Sequence, residues 1–416
     1  MILARVFLPF ALGYYLSYLL RVVNAVIAPD LIDELGLTAS DLGLLTSANF
    51  LAFAAFQLPL GILLDRFGPR RTEAALLVVT GLGALVFSLA QSLDTLIIGR
   101  ALIGLGTSAC LMAAFKAYVM WFSADRIPLI NGFQMAAGCL GALTGTVPVE
   151  SALAFTDWRG VFLVFAGLSL ATALILFVTV PKRGLGAGAG ERFADQLHGV
   201  REIFTAARFW RIAPLCVASQ GTFLAIQSLW SGPWLTDVAG LPRDAVAQHL
   251  LLVAAAMIAG NLTGGTIAVQ LGRFGIKTMT VAVTGMALFA CVQIALVLQW
   301  TEGALLIWML FGFFGSAGIL PYAALPREFR PELAGRVVTG INVLSFFGAF
   351  AAQWGIGAVI DLWPKTFAGG YAPEGFQAGF AMMLGLQIIG LIWYVASSLL
   401  EQIRFNRGHI LLRQSS

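Results

Sequence analysis

The sequence has 416 residues, of which 59% are hydrophobic and 11% charged, with 46 glycines and a net charge of +4. A soluble chain must dress its surface in polar groups, and this composition leaves too few; nor is the charge that of a nucleic-acid binder. Apolar residues come in runs of roughly 20, the length a helix needs to cross a hydrocarbon core of about 30 Å, and the short alternating segments of a membrane barrel are absent.

The spacing of charged and turn-rich breaks predicts twelve spanning helices near 6–28, 41–63, 73–92, 95–121, 127–149, 159–180, 209–235, 246–270, 277–299, 303–325, 335–360 and 376–400. Lys and Arg collect in the loops on the side shared by both termini, while Arg159, Arg243 and Lys365 fall on the other, so both termini read as cytoplasmic. The first run, with no cleavage site after it, is expected to remain as a helix. It reads "YYLSYLLRVVNAVIAP", with Tyr14, Tyr18 and Arg21 at i, i+4 and i+7 and Ser17 and Asn24 beside them. One polar stripe on an apolar helix predicts the wall of a water-filled cavity, and an ionisable group inside a span is a functional candidate by default.

Between the second and third spans, "GILLDRFGPRR" gathers Gly61, Asp65, Arg66, Gly68, Arg70 and Arg71. Arg100 opens "RALIGLG" near the far end of the fourth span, and Lys116 lies near its inner end in "KAYVMWFSADR". Sixteen positions separate Arg100 from Lys116, so they cannot both face one cavity squarely. Lys116 is open between a cavity role and snorkelling to the interface. "DWRGVF" enters the sixth span. A central loop starts as a glycine-rich linker and continues with Phe193, Leu197, Val200 and Phe204 at helical spacing, an amphipathic piece expected along the membrane surface. It divides the chain into a bundle over 1–183, a linker over 184–208 and a second bundle with its tail over 209–416. Arg66-Phe67-Gly68 recurs as Arg273-Phe274-Gly275, as expected of two parallel six-helix halves with a site between them.

In the seventh span, "SQGTFLAIQSLWSGPW" offers Gln220, Gln227, Trp230 and Trp234 along one side. For the two glutamines, helix–helix hydrogen bonding competes with a cavity role, and Trp234 suits an interfacial belt. Tyr322 and Asn342 in the tenth and eleventh spans are further candidates, and "GSAGILP" before Tyr322 allows a bend. The acidic residues all fall in loops or near helix ends, Glu150 and Asp361 being nearest to burial. That pattern lacks a membrane-embedded proton carrier and favours uniport, exchange or an anion carrying its own proton. Cys110, Cys139, Cys216 and Cys291 lie in apolar runs, where no disulfide is expected. No phosphate-binding loop, zinc motif or nucleophile elbow is present, so neither enzyme nor cofactor is read here.

"GILLDRFGPRR" resembles the signature loop of the major facilitator superfamily, with Leu64 where a small residue is usual; "RALIGLG" and "DWRGVF" resemble that family's fourth-helix motif and its entry to the sixth helix. The resemblance implies an all-α membrane protein of two pseudo-symmetric six-helix bundles that transports by alternating access. It also implies that Asp65 meets the start of the eleventh helix and latches one access state, with Arg100 as a structural or gating partner. Tyr14 to Asn24 resembles the first helix of the organophosphate–phosphate antiporters, where the arginine is a phosphate ligand, and the segment around Lys116 resembles several anion porters. Ser228 stands where the antiporters' second arginine would fall, which argues for a monoanion or a zwitterion with an apolar portion. The expected partners are thus a small-molecule substrate, the bilayer and a coupling proton or counter-anion, in a monomer of the bacterial inner membrane. Alternatives are a multidrug-type exporter of apolar compounds, which leaves Arg21 unexplained, and a non-transporting sensor, for which the loops are too short.

Overall fold

In hydrocarbon the backbone must satisfy its own hydrogen bonds, and the apolar runs accordingly form helices. The computed structural model describes residues 3–123, 126–182, 201–330, 333–366 and 369–414. Eleven helices among them are long and apolar enough to cross a membrane. The fifth expected span is the helix Ile127–Thr144, which turns at Gly145-Thr146 into Val147–Leu153. Helix entries are set by local chemistry: Thr38 and Asp41 form a reciprocal capping box before the second span, and Asp157 accepts from the Gly160 amide before the sixth. Gly68 makes the corner between the second and third spans at φ 78°, ψ 165°, backbone that Gly adopts freely, and Pro69 starts the next helix.

Several spans are interrupted where a uniform helix is the simplest reading. The first is Leu8–Val22 followed by Asn24–Leu35, with Val23 between. The fourth is Leu93–Thr107 and Met112–Trp121. The seventh runs Ala207–Ala225, passes through a π-helical turn at Ile226–Trp230 and resumes as Ser231–Asp237. The tenth bends through 3₁₀ turns at Ser316–Ile319 and Leu325–Glu328, as its glycines and prolines allow. The eleventh span is Ala334–Ile360.

The two groups of six helices meet chiefly where the second span lies along the eleventh and where the first and fifth face the seventh and eighth. On the side opposite the termini, here the far side, these groups are tied by charge. The Asp361 carboxylate at the end of the eleventh span accepts from the Ala39 and Ser40 amides, which start the second span, at 2.9 and 2.7 Å. Arg243 holds Asp30 through two bonds at 2.8 and 2.6 Å and also Glu150. Close approach is bought with small residues: a Cβ at Gly357 would lie 2.3 Å from the Ala39 carbonyl. The amphipathic piece with Phe193, Leu197 and Val200 lies outside the described residues; just beyond it, Ile203 and Phe204 pack against Phe209.

Candidate functional site

A cavity of about 350 Å³ lies between the two groups of helices. Its polar lining comes from Tyr14, Ser17, Tyr18 and Arg21 of the first span, Gln57 of the second, Thr107 and Ser108 of the fourth, and Gln220, Tyr322 and Asn342 opposite. Apolar surface is supplied by Phe53, Met112, Phe115, Met135, Leu224 and Phe346, among others. The first span can present its stripe here because the fifth span is notched with glycine. A Cβ at Gly138 would lie 2.5 Å from the Tyr14 ring, and one at Gly141 would lie 2.0 Å from the Tyr15 carbonyl oxygen.

Arg21 is the charged side chain among the described residues lining this cavity. Its guanidinium carbon stands 4.7 Å from the Tyr18 ring centre, 5.2 Å from Phe346 and 5.6 Å from Phe53, distances at which ring faces attract a cation. Phe53 and Phe346 come from opposite groups of helices and stack at 4.2 Å. The Arg21 Nε has no hydrogen-bond partner among the described residues, nor has the Gln220 Oε1. The arrangement is a guanidinium in an aromatic surround, in a cavity that hydroxyls and amides also line.

Six expected site residues therefore converge: Tyr14, Tyr18, Arg21, Gln220, Tyr322 and Asn342. The other expected site residues, Asn24, Lys116, Gln227 and Trp230, do not line the cavity. Asn24 is buried beyond the break at Val23 and donates to Thr46 Oγ1 at 2.8 Å. Gln227 turns to the Met257 sulfur at 3.5 Å, and the Trp230 indole donates to the Gln353 carbonyl at 3.0 Å. Trp234 is fully buried against Trp308 at 5.5 Å between ring centres, so it is a packing residue rather than part of an interfacial belt. Lys116 Nζ binds Asp65 at 2.5 Å and the Leu64 carbonyl at 2.8 Å. Asp65 thus has a partner within its own group of helices, where the resemblance implied one across the interface. Arg70 donates to the Phe177 carbonyl and lies over that ring, and Arg66 lies over Phe67. With Gly68 and Arg71, these arginines border a separate surface recess, while Gly61 is exposed with open space beside it. Arg100 is buried, donates to the Leu20 carbonyl at 2.7 Å and lies over Phe87 and Phe162.

One buried acid escapes the sequence reading. Glu73, one turn beyond Pro69, is fully buried rather than near a solvated helix end. Its signal was present: Leu77 and Thr80 share its face at i+4 and i+7, and both are fully buried as well.

The family model described as Major Facilitator Superfamily matches residues 10–353. A probable sulfoacetate transporter of Cupriavidus necator is 26% identical over 393 residues, covering 92% of this chain and 83% of that one. A probable nitrate/nitrite antiporter of Thermus thermophilus is 25% identical over 421 residues, covering 92% and 88%. Among solved structures, a bacterial homologue of the human lysosomal transporter Spinster, in an inward-facing and occupied conformation, superposes with a TM-score of 0.78 at 17% identity, covering 95% and 97%.

Proposed function

The chain belongs to the Major Facilitator Superfamily, whose members are transporters and not enzymes, and from that premise we propose that it carries a small organic monoanion across the membrane by alternating access, with Arg21 as the charge partner. The observation that carries the reading is the Arg21 guanidinium, set among Tyr18, Phe53 and Phe346 with Nε unpartnered. One positive group, with no second cation among the described lining residues, suits one negative charge. A cavity of about 350 Å³ is at the small end of ligand sites and suits a compact metabolite better than bulky apolar cargo. Two relatives matched along most of the chain are named for small anions, the dianion sulfoacetate and the inorganic monoanions nitrate and nitrite, which supports anionic cargo, while the single charge rests on Arg21. The Phe53–Phe346 stack would part and re-form as the two groups of helices exchange access. We place the protein in a bacterial inner membrane with both termini cytoplasmic, on the bacterial relatives and the loop charges.

A thermal-shift measurement on the detergent-purified protein tests this. Sulfoacetate, nitrate and simple carboxylates are compared with xylose and with choline, on wild type and Arg21→Gln. A ligand held at a hundred times its Kd stabilises the folded state by about 2.7 kcal/mol. Anion-specific stabilisation that disappears in a folded Arg21→Gln protein is the expected result. Stabilisation by neutral compounds alone, equal in both proteins, overturns the reading.

A further inference from the structure

Glu73 sits behind the cavity wall, in the third span. It is fully buried, and neither carboxyl oxygen has a hydrogen-bond partner among the described residues. The first span leaves room for it: a Cβ at Gly13 would lie 2.3 Å from Glu73 Oε1. So the carboxyl occupies volume that almost any other residue at position 13 would fill. On the fourth span, the titratable groups Cys110 and Tyr118 are fully buried in the cluster that also holds Leu76 and Leu77, close to Glu73 in the third span. The Tyr118 hydroxyl is already committed to Gln134 Oε1 at 2.6 Å.

A bare carboxylate here, without donor or counter-ion, would carry its full desolvation cost; a protonated carboxyl escapes most of it. For packing alone, leucine or methionine would fill the space without that cost. The position also communicates with the cavity. Gly13, whose missing side chain makes room for Glu73, immediately precedes Tyr14, which lines the cavity, in the span that also carries Arg21.

We propose that Glu73 is the proton site of this transporter, and that it is loaded together with an anion on Arg21. The step makes one O–H bond on the carboxyl with a proton from water on one side of the membrane and breaks it toward the other. Its coupling half rests on the anion reading above; the proton site itself does not. An anion bound to Arg21 cancels a positive charge in a low-dielectric region, and that favours the neutral form of Glu73. By reciprocity the protonated Glu73 favours the bound anion, so the two cross together.

Dicyclohexylcarbodiimide, which modifies protonated carboxyls in apolar surroundings, is the first probe. Applied to the folded protein at neutral pH, with the modified peptide identified by mass spectrometry, it is expected to label Glu73. A Glu73 left unmodified while exposed acids react overturns the proposal. The second measurement uses proteoliposomes with sulfoacetate and nitrate as probe anions. An inward proton gradient should stimulate uptake by wild type. In Glu73→Gln that stimulation should fall to the level seen without a gradient, while anion counterflow persists. Stimulation retained in Glu73→Gln also overturns the proposal. If the Gln variant does not fold, Glu73→Asp, which keeps a carboxyl, must retain both labelling and stimulation. Absence of uptake of every anion by wild type would sink the substrate reading, and the labelling result would still decide the proton site.

Discussion

Arg100 keeps a charge inside the protein with the Leu20 carbonyl and two ring faces for company, while its Nε and one terminal nitrogen have no partner among the described residues. Lysine keeps the charge but loses the flat guanidinium that lies along Phe87 and Phe162. Arg100→Lys should therefore lower stability by about 1–2 kcal/mol, read as a lower thermal midpoint in detergent whether or not an anion is present. A change confined to ligand response would instead assign Arg100 to the binding site. At this scale the first span was the most legible part of the chain. Tyr14, Tyr18 and Arg21 follow one helical face, and the regular stretch Leu8–Val22 keeps that face intact. Asn24 was lost because its amide is taken by Thr46, and Lys116 because Asp65 and the Leu64 carbonyl hold its amine. Glu73 was lost for a different reason: nearness to a helix end in sequence says nothing about which neighbour covers it.

Among the elements, the π-helical turn in the seventh span bears on the two glutamines whose roles the sequence left open. Seven residues make two turns of a regular helix, so Gln227 should repeat the direction of Gln220. A π turn inserts extra residues per revolution and rotates everything after it. Gln220, before the turn, faces the cavity, while Gln227 and Trp230, inside it, are bonded to Met257 and to the Gln353 carbonyl on other helices. Hydropathy cannot reveal such a turn, because every residue in it is buried either way. The bend of the tenth span was legible, since glycine and proline mark it directly. A second device joins the ninth and twelfth spans, Thr278–Val297 and Pro373–Gln414. Gln293 and Gln387 are fully buried and exchange amide hydrogen bonds at 3.0 and 2.9 Å. Replacing one by leucine strands the other, at a cost of about 1–2 kcal/mol. Replacing both should recover most of that loss, so a double-mutant cycle in thermal or denaturant unfolding should give a clear coupling energy. Additive single losses would show that the two amides act independently.

For the whole molecule, twelve spans and two similar halves could be read from run length, loop charge and the repeated Arg-Phe-Gly. How the halves touch could not, because the far-side contacts pair residues hundreds of positions apart. Asp361 at the amides of Ala39 and Ser40, with Arg243 on Asp30 and Glu150, joins the two groups of helices on that side. Charge-assisted bonds at a helix start contribute about 1–2 kcal/mol, enough to shift a two-state population roughly tenfold. Asp361→Ala should thus raise the rate at which a membrane-impermeant thiol reagent, added from the far side, modifies Ser17→Cys in a background without native cysteines. An unchanged rate would mean that the remaining far-side contacts, Arg243 with Asp30 and Glu150, Lys365 with the Leu37 carbonyl and Trp354 with Ser40, hold without Asp361.

The Asp361 contact has a consequence for how this protein can drift. Its acceptor is a side chain, but its donors are the backbone amides of residues 39 and 40, which nearly any amino acid supplies. This contact therefore constrains Asp361 and places no demand on the side chains of Ala39 and Ser40, which answer instead to burial and to the Trp354 indole. Only proline would withdraw a donor. In an alignment, the two Asp361 bonds would leave one constrained column with no side-chain partner of their own to covary with it.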